Sequence, residues 1–560
     1  MSRRFMNAAL SAAVLLLTCS FVAGAQSKLP LKYKGKPTHP AITAGDAMTR
    51  LYIFADDSMM GRAAGTIGGL KGTAYIEREV RRLGLVPAGD NGTFFQAVPI
   101  YNKSFDQASR LVAGETPVVE GRDYFPIYIG EGGTTRSITG AQVIYAGSTE
   151  EPATLIPESA ADGKVVLVTG PTPGIARRYP GAKAFIIVVG SQDLSQLQAI
   201  ATRVSTLMHE PSDSVSLPLY LAVPPASIPL FLGVPIANAR PGTIGKTLAG
   251  DVRYKVEAAP ARNVVAVIPG SDPILRKEFV ALGAHNDHLG FRDEGPVDTD
   301  SLRAFNDIAA RIYEKRTHEL PGFPGSGLTA PERASIKVNV DSLHRARPAR
   351  KDSIYNGADD DGSGSVGLLE IAEKFATGKV RPKRSLIFVW HTGEELGLFG
   401  SEFFTDHPTI ARDSIVAQLN IDMIGRGEAT DLPGGGPGFL QVIGSRRLST
   451  ELGDLLETVN KQNRHGFRFD YSFDAPGHPE QYYCRSDHYE YARYGIPIAF
   501  MSTGGHVDYH QVTDEPQYIN YAHLARVASF VADLAGHVGN LDHRLVVDHP
   551  KPDPHAECVQ

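Results

Sequence analysis

Histidine and acidic side chains follow several apolar runs in the second half of the chain. Four of these runs are EFVALGAHNDH, SLIFVWHTGEE, IVAQLNIDMIG and IPIAFMSTGGH, and each ends in a polar turn. A run this apolar is typical of a strand buried on both faces, which leaves few polar side chains to spare. In an open α/β sheet, ligands bind just beyond the carboxyl ends of the strands. We therefore predict that several of these polar turns meet at one site.

The polar residues in question have the side chains that zinc binds. Zinc takes imidazole nitrogen and carboxylate oxygen in roughly tetrahedral sets, and a catalytic site keeps one position for water. Two histidines and three carboxylates suit two ions if one carboxylate is shared between them. The candidate ligands are His285, Asp360, Glu395, Asp422 and His510.

The motifs, in their order along the chain, resemble the co-catalytic dinuclear-zinc aminopeptidase family, whose relatives include glutamate carboxypeptidase and the transferrin receptor ectodomain. GAHNDHLG is similar to the first metal motif of that family, GADDDGSG to the bridging-aspartate motif and HTGEELGLFGS to the catalytic Glu–Glu pair. NIDMIG is similar to the next ligand motif and DYHQVTDEP to the last. The similarity runs from about Asn263 to Pro516, and the N-terminal SMMGRAAGTIGG also resembles the family.

The resemblance implies two Zn²⁺ ions per chain, with Asp360 as the bridge between them. His285 binds one ion and His510 completes the other, while Asp422 and Glu395 are the terminal carboxylates. The resemblance also selects Asp360 from three adjacent aspartates, so the other two are expected to be turn or helix-capping groups. A calcium-type or merely solvated acidic loop is the alternative for this stretch.

The resemblance further implies three residues that act beside the metal. Glu394 is the general base, which takes a proton from the attacking water and passes it to the leaving amine. Asp287 receives the second ring N–H of His285 and so orients the imidazole. Tyr509 stabilises the oxyanion. The implied function is an exported metallo-exopeptidase that hydrolyses N-terminal residues from peptides by means of a water activated by two zinc ions.

The motifs present and absent in the chain disfavour several other classes of hydrolase and of related proteins. The chain contains neither a GxSxG elbow nor an HExxH motif, which disfavours a serine hydrolase and a single-helix metalloprotease. A non-catalytic peptide-binding relative would be expected to have lost ligands, and all five are present here. A carboxypeptidase of the same fold stays open, because the metal site does not say which peptide end is bound.

The net charge and the N-terminal segment indicate which partners and which location to expect for the protein. The 560 residues carry a formal net charge of −6, which argues against a nucleic-acid-binding surface. Arg3 and Arg4, the apolar run from Ala8 to Val22 and the small residues before Gln26 predict a signal peptide over residues 1–25. We expect a periplasmic or secreted protein without a stable membrane span; a lipoprotein anchored through Cys19 is the less favoured alternative.

The pattern of apolar runs and of glycine- and proline-rich breaks along the chain predicts the fold class and the domains. The expected fold is α/β, with a mixed, largely parallel sheet, helices on both faces and a small β-rich inserted domain that resembles the protease-associated domain. The expected divisions are a signal peptide (1–25), an N-terminal part of the peptidase domain (26–122), the β-rich insert (123–250), the catalytic domain (251–540) and a polar C-terminal tail (541–560). The tail is expected to be frayed, and a Cys484–Cys558 bond has no support in the sequence.

One stretch departs from the family pattern. His285 and Asp360 stand 75 positions apart, where the family usually has a short loop. Because both ends are tethered beside predicted metal ligands, we expect residues 291–355 to form a lid over the active site. The alternative is a mobile surface insertion without a role. A basic cluster within the lid is expected to meet the C-terminal carboxylate of short peptides; its members are Arg345, Arg347, Arg350 and Lys351.

Overall fold

The computed structural model describes residues 29–127, 132–172, 174–190, 205–212, 218–317, 323–346, 348–378 and 381–560. The predicted signal peptide and Cys19 lie outside the described residues, so export and the choice between free and anchored protein stay predictions. Among the described residues, no helix combines the length and the apolar character needed to cross a bilayer.

Helices and strands follow one another along most of the described chain. The helices are α1 (Ala44–Phe54), α2 (Ile67–Arg82), α3 (Glu158–Ala161), α4 (Ile175–Arg178), α5 (Ile228–Leu232), α6 (Thr299–Thr317), α7 (Ala330–Ser335), α8 (Val340–Ala346), α9 (Gly362–Thr377), α10 (Phe399–Asp406), α11 (Thr450–Gln462), α12 (His488–Ala492) and α13 (Tyr521–Asn540). The strands are β1 (Val86–Pro87), β2 (Phe95–Phe105), β3 (Arg110–Ala113), β4 (Thr116–Val118), β5 (Phe125–Ile127), β6 (Thr135–Ser148), β7 (Val165–Thr169), β8 (Ala184–Val188), β9 (Ser205–Leu207), β10 (Leu219–Val223), β11 (Ile244–Ile268), β12 (Phe279–His285), β13 (Gly290–Phe291), β14 (Val297–Asp298), β15 (Lys351–Asp352), β16 (Ile354–Tyr355), β17 (Ser385–His391), β18 (Ile415–Ile421), β19 (Phe439–Ile443), β20 (Arg468–Asp470) and β21 (Ile498–Ser502).

The larger sheet is mixed, with a parallel centre. Its central strands run in the order β17, β12, β18 and β21, and each is parallel to its neighbours within this group. β11 closes one side as an antiparallel strand, and β19 joins β21 on the other side in the same antiparallel sense. The predicted α/β fold class is therefore confirmed.

Both faces of this sheet are buried, as the apolar runs predict. Neighbouring side chains of a strand point to opposite faces, and in β12 Val280 and Leu282 join one apolar cluster while Ala281 joins the other. Helices α1, α9, α11 and α13 supply side chains to the first cluster, and α10 and α12 supply them to the second. With no solvated face, β12, β17 and β18 carry ionisable side chains only at their ends, while the buried amides of Gln418 and Asn420 hydrogen-bond to each other within β18.

Helix α9, which follows the acidic stretch, begins at an aspartate that caps its N-terminus. The carboxylate of Asp361 accepts a hydrogen bond from the Gly364 N–H and caps α9. Leu368, Ile371 and Phe375 follow at helical spacing and are buried against the sheet. This cap holds the residue before it, Asp360, at the helix mouth.

A second, smaller sheet is built around the first half of β11. β6, β7, β8 and β10 lie side by side in parallel, and they surround a separate apolar core that includes Val165, Leu167 and Ile186. β3, which starts at Arg110, already pairs with β11 in this sheet. The boundaries of the β-rich insert at residues 123 and 250, and its likeness to a protease-associated domain, stay predictions.

The two ends of the long stretch between His285 and Asp360 pair with each other. β13 pairs with β16 and β14 pairs with β15, so the two ends of the stretch run together as short antiparallel ladders. Between these ladders the chain forms α6. Arg350, expected to be free for a peptide carboxylate, instead donates to both carboxylate oxygens of Glu515. Arg347 of the same basic cluster lies outside the described residues.

The C-terminal tail is packed, which corrects the expectation of a frayed end. Cys558 forms a disulfide with Cys484. The side chain of Gln560 accepts from the Tyr483 N–H at 2.9 Å and donates to the Phe473 carbonyl at 3.1 Å. The 74-residue separation of the cysteines leaves no local pattern from which the pairing could be predicted.

Candidate metal centre

The five predicted ligands converge because the strands that carry them end at one edge of the sheet. His285 is the last residue of β12, and Asp422 directly follows β18. Glu395 lies in the turn after β17, while His510 lies in the loop after β21. Asp360 reaches the same edge from the mouth of α9. Parallel strands put their carboxyl ends side by side, so residues far apart in sequence become neighbours.

The first cluster forms around His285. Its Nε2 lies 3.0 Å from Asp360 Oδ1 and 3.7 Å from Asp422 Oδ1. Ser486 donates its hydroxyl to Asp422 Oδ2 at 2.7 Å and leaves Oδ1 directed at the imidazole. One nitrogen and two carboxylate oxygens thus face a common point.

The second cluster forms around His510. Its Nε2 lies 2.9 Å from Glu395 Oε2 and 3.1 Å from Asp360 Oδ2. The two oxygens of Asp360 therefore face different histidines, which is the arrangement a bridging carboxylate requires. Asp360 is the residue selected for that role from its sequence motif.

The other two aspartates of the acidic stretch are occupied elsewhere. Asp361 lies near His285, but its oxygens accept main-chain N–H groups of Gly364, Met423 and His285 itself. Asp359 accepts the Gly425 N–H at 2.6 Å. A carboxylate already bound by N–H groups is a poor candidate for a metal ligand, so these residues hold the loops in place.

Glu394 lies beside the first cluster. Its Oε2 is 3.9 Å from His285 Nε2, and its main-chain N–H donates to Asp287 Oδ1 at 3.2 Å. Burial, reinforced by the charges of Asp422 and Glu395, raises the pKa of the Glu394 carboxyl well above its ordinary value. A carboxylate with a raised pKa is a better proton acceptor, which suits a general base.

Asp287 contacts His285, although not through the atom expected. The Nδ1 of His285 lies 3.1 Å from the main-chain carbonyl of Asp287, and the carboxylate is more distant at 3.7 Å. The carbonyl therefore takes the ring N–H, while the carboxylate holds the main chain of Glu394. Asp287 orients both the imidazole and the turn that carries Glu394.

Tyr509 lies against the second cluster. Its ring stacks on His510 with the centroids 4.0 Å apart, and its hydroxyl accepts a hydrogen bond from Arg485 at 3.2 Å. Because Arg485 occupies a lone pair of the phenol oxygen, the phenol proton is free to point elsewhere. Tyr509 and Arg485 line the cleft that also contains Glu394.

The cleft opens directly onto the metal centre. About 500 Å³ of space lies between its walls, part of it open to solvent. Asp360, Glu394 and Asp422 form its acidic end, and Met423 and Phe500 add apolar wall. An acidic end and a partly apolar wall suit a substrate that carries a positive group beside an apolar one.

Several residues at the site are not among those predicted from the sequence. His288 lies in GAHNDHLG, and a second histidine in a metal motif was a usable signal. Arg485 and Ser486 stand far from the other motifs, and nothing local marks them. Phe323, from the insertion, stacks on Tyr509 with the ring centroids 5.5 Å apart. Only the tertiary fold brings these residues to the cleft.

The residues present fit divalent metal ions. The carboxylates around the histidines have side chains that are only 4–11% exposed, and together they form an excess of negative charge that a cation would neutralise; they are those of Asp360, Glu394, Glu395 and Asp422. Asp360 Oδ2 is buried and receives no hydrogen bond from the residues that the structure describes. Burial lowers the pKa of His510, but Glu395 and Asp360 outweigh it and raise that pKa to about 10. Burial likewise opposes the ionisation of Asp360, yet the flanking His285 and His510 hold its pKa well below the ordinary value.

Imidazoles and carboxylates that converge at the carboxyl ends of the strands of an α/β sheet are groups that can bind zinc. The sequence model of Peptidase family M28 matches residues 339–535, which is less than half of the chain. The matched stretch contains Asp360, Glu395, Asp422 and His510, whereas His285 precedes it.

Curated relatives match shorter parts of the chain. The chain is 40% identical to leupeptin-inactivating enzyme 1 of Streptomyces exfoliatus over 77 residues, 13% of this chain and 18% of that protein. It is 32% identical to leucine aminopeptidase 1 of Coccidioides posadasii (strain C735) over 152 residues, 26% of this chain and 36% of that protein. The matches thus span well under two thirds of the length of these relatives.

Solved structures match over more of the chain at low identity. The zinc aminopeptidase BSAP from Bacillus subtilis gives a TM-score of 0.48 at 16% identity, covering 90% of this chain and 96% of its own. An aminopeptidase from Aneurinibacillus sp. strain AM-1 gives a TM-score of 0.47 at 16% identity, covering 91% and 97%.

Proposed function

We propose that this chain is an exported zinc aminopeptidase that removes N-terminal residues from peptides. The observation that carries the proposal is the geometry around Asp360, whose two oxygens lie 3.0 Å from His285 Nε2 and 3.1 Å from His510 Nε2. The family of residues 339–535 and the aminopeptidase names of several relatives support it.

The proposal assigns two metal positions to this chain. His285 and Asp422 hold one ion, His510 and Glu395 hold the other, and Asp360 serves both. When bound, zinc lowers the pKa of water and polarises the substrate carbonyl. The protein contributes the fixed positions of the ligands, because each lies at the end of a buried strand or in a loop tied to one.

Proton transfer is the task of Glu394. Its carboxylate accepts a proton from the attacking water and returns it to the leaving amine. Asp287 holds the main chain of Glu394 and the ring of His285 together, so the base keeps its place beside the first cluster. Tyr509 donates its phenol proton to the carbonyl oxygen as negative charge develops there.

Recognition of the substrate amine follows from the charge of the cleft. Asp360, Glu394 and Asp422 line its inner end, and a protonated or metal-bound amine is favoured where carboxylates concentrate. Only the first residue of a peptide carries a free α-amine, next to the first peptide bond, which directs cleavage to the N-terminal bond.

One observation favours a carboxypeptidase as the second candidate. Arg485 lines the cleft, and a guanidinium is the side chain that best binds a carboxylate. Its Nη2 already donates to Tyr509, and its Nη1 donates to Glu480, whose Oε2 lies 3.3 Å away. We therefore place this candidate second.

One experiment separates the candidates. Purified protein is analysed for metal and then given a leucine-led peptide in three forms: unblocked, N-acetylated and C-amidated. The aminopeptidase proposal predicts about two zinc ions per chain and release of leucine from the unblocked and C-amidated forms only. Cleavage of the N-acetylated form from its C-terminus would establish the carboxypeptidase. Two bound ions without cleavage of any form would indicate a binding protein.

A further inference from the structure

A third histidine lies inside the metal centre without an assigned role. The side chain of His288 is fully buried, and its Nδ1 lies 2.6 Å from Glu395 Oε1. The other oxygen of the same carboxylate, Oε2, lies 2.9 Å from His510 Nε2. His288 and His510 thus contact opposite oxygens of Glu395.

The contacts of the two histidines differ. His510 Nε2 lies 2.9 Å from Glu395 Oε2 and 3.1 Å from Asp360 Oδ2, so it faces both carboxylates of the second cluster. His288 Nδ1 lies 2.6 Å from Glu395 Oε1 but 3.8 Å from Asp360 Oδ2, so it contacts Glu395 alone, as a hydrogen-bond partner. An ionised carboxylate has no proton to give, so the hydrogen is on Nδ1 of His288 and Glu395 Oε1 accepts it.

The surroundings of His288 hold the ring in this orientation. A Cβ added to Gly357, whose φ is +52°, would lie 2.6 Å from His288 Cδ2, so only glycine lets the ring pack there. The Tyr355 ring meets the imidazole edge-on with the centroids 6.4 Å apart. Nε2 is buried and has no hydrogen-bond partner among the described residues, which leaves Glu395 as the group that the ring serves.

We propose that His288 is a positioning residue that holds Glu395 so that only Oε2 faces the second metal position. The inference rests on the proposed function, which makes Glu395 a ligand of that position. Occupation of Oε1 prevents the carboxylate from rotating away or from turning both oxygens to the metal. The first position, around His285 and Asp422, does not depend on this contact.

The test measures metal binding, so it does not require catalysis. His288→Ala removes the donor, whereas His288→Asn keeps an N–H close to the place of Nδ1. The matched control is His506→Ala, because His506 is an equally buried histidine whose Nε2 lies 3.2 Å from the non-ligand Asp359. Each variant is equilibrated at graded free zinc, and bound metal is measured by elemental analysis. Cobalt absorption spectra report the coordination, and thermal unfolding of the metal-free proteins reports folding.

We expect His288→Ala to weaken one of the two zinc ions by about 10–100-fold and to leave the other unchanged. His288→Asn should restore most of the lost affinity, and His506→Ala should bind both ions like the parent. Wild-type affinity in His288→Ala would overturn the inference and leave the proposed function intact. Equal loss in His288→Ala and His288→Asn would also overturn it. A parent protein that binds no metal would refute the proposed function itself, and this inference with it.

Discussion

At the scale of single residues, the adjacent glutamates face different histidines. Both follow the same strand, but Glu395 points to His510 and His288, while Glu394 points to the cleft and His285. Adjacent side chains in a turn diverge, so one turn supplies both a proposed metal ligand and a proposed base. Both side chains are largely buried, and their directions decide which histidine each one faces.

Replacing Glu394 by alanine is expected to lower kcat by about 10²–10⁴-fold while metal content stays near that of the parent. The reason is that Glu394 contacts His285 only at 3.9 Å and is not needed to hold an ion. The matched variant is Glu395→Ala, which should lose metal as well as activity. Steady-state kinetics and elemental analysis of both variants provide the measurement. Metal loss in the Glu394 variant, or activity retained in it, would show that the two roles are reversed.

At the scale of elements, the insertion is attached to the loop that carries His510. Arg303 of α6 donates to both carboxylate oxygens of Asp508 at 3.0 and 3.1 Å, and Arg350 binds Glu515. These contacts lie on either side of His510 in sequence. The insertion therefore holds the loop that carries His510 in place. Its action as a lid stays a prediction, which depends on Phe323 and not on Arg350.

Phe323→Ala is expected to change the length of peptide that the cleft accepts. Phe323 is 46% exposed and stacks on Tyr509 at the cleft, so its loss widens the cleft and removes an aromatic wall. An aromatic contact of about 0.5–1.5 kcal/mol corresponds to a rise of roughly 2–12-fold in kcat/KM for a decapeptide relative to a dipeptide. Phe291→Ala is the control, because Phe291 is 50% exposed on the same insertion. An unchanged ratio in the Phe323 variant would remove the basis for a lid.

A buried ionic cluster joins three of the helices that cover the sheet. Arg50 of α1 lies 2.6 Å from Glu370 of α9 and 3.5 Å from Glu79 of α2. Burial raises the pKa of Glu370 to about 8, although Arg50 opposes the shift. From about pH 4.5 to about pH 8 the folded chain thus keeps a proton that the unfolded chain has lost, so the free energy of unfolding falls as the pH rises.

Glu370→Gln is expected to remove that dependence, because glutamine is neutral at every pH and retains the shape of the side chain. Relative to the parent, the variant should gain more in Tm at pH 8 than at pH 5. Thermal unfolding at both pH values measures the effect. Glu77→Gln serves as control, since Glu77 pairs with Arg81 at the surface. Equal Tm differences at the two pH values would show that Glu370 is ionised throughout this range.

At the scale of the whole molecule, the C-terminus is joined to the wall of the cleft. Cys484, which bonds to Cys558, directly precedes Arg485 and Ser486. The disulfide is consistent with the proposed export, because such bonds persist in oxidising compartments. The last residues of the chain thus support a loop that lines the site.

Cys558→Ser is expected to lower the free energy of unfolding by about 2–5 kcal/mol, since the bond closes a long loop of chain. Cys484→Ser should cost the same, and the double variant no more than either. Denaturant titration can follow the fluorescence of Trp390, the single tryptophan, which is fully buried. Unequal losses in the two single variants would mean that a cysteine acts other than through the bond.

The sequence by itself determined the fold class, and it named five candidate ligands, whose role as ligands stays a prediction. Buried parallel strands are continuous apolar runs, and His285 and Asp422 stand at or directly after the ends of such runs, so both could be predicted from local pattern. The order of the motifs added the bridging role of Asp360, which its contacts with two histidines support.

Only the tertiary structure decided which groups surround those ligands. The contact of His288 with Glu395 spans 107 positions, and that of Arg303 with Asp508 spans 205. Pairing over such distances depends on how strands and loops pack, and no local periodicity encodes it. The Cys484–Cys558 bond and the pairing of Arg350 with Glu515 escaped prediction for the same reason: each joins side chains whose own neighbours in sequence carry no mark of the partner.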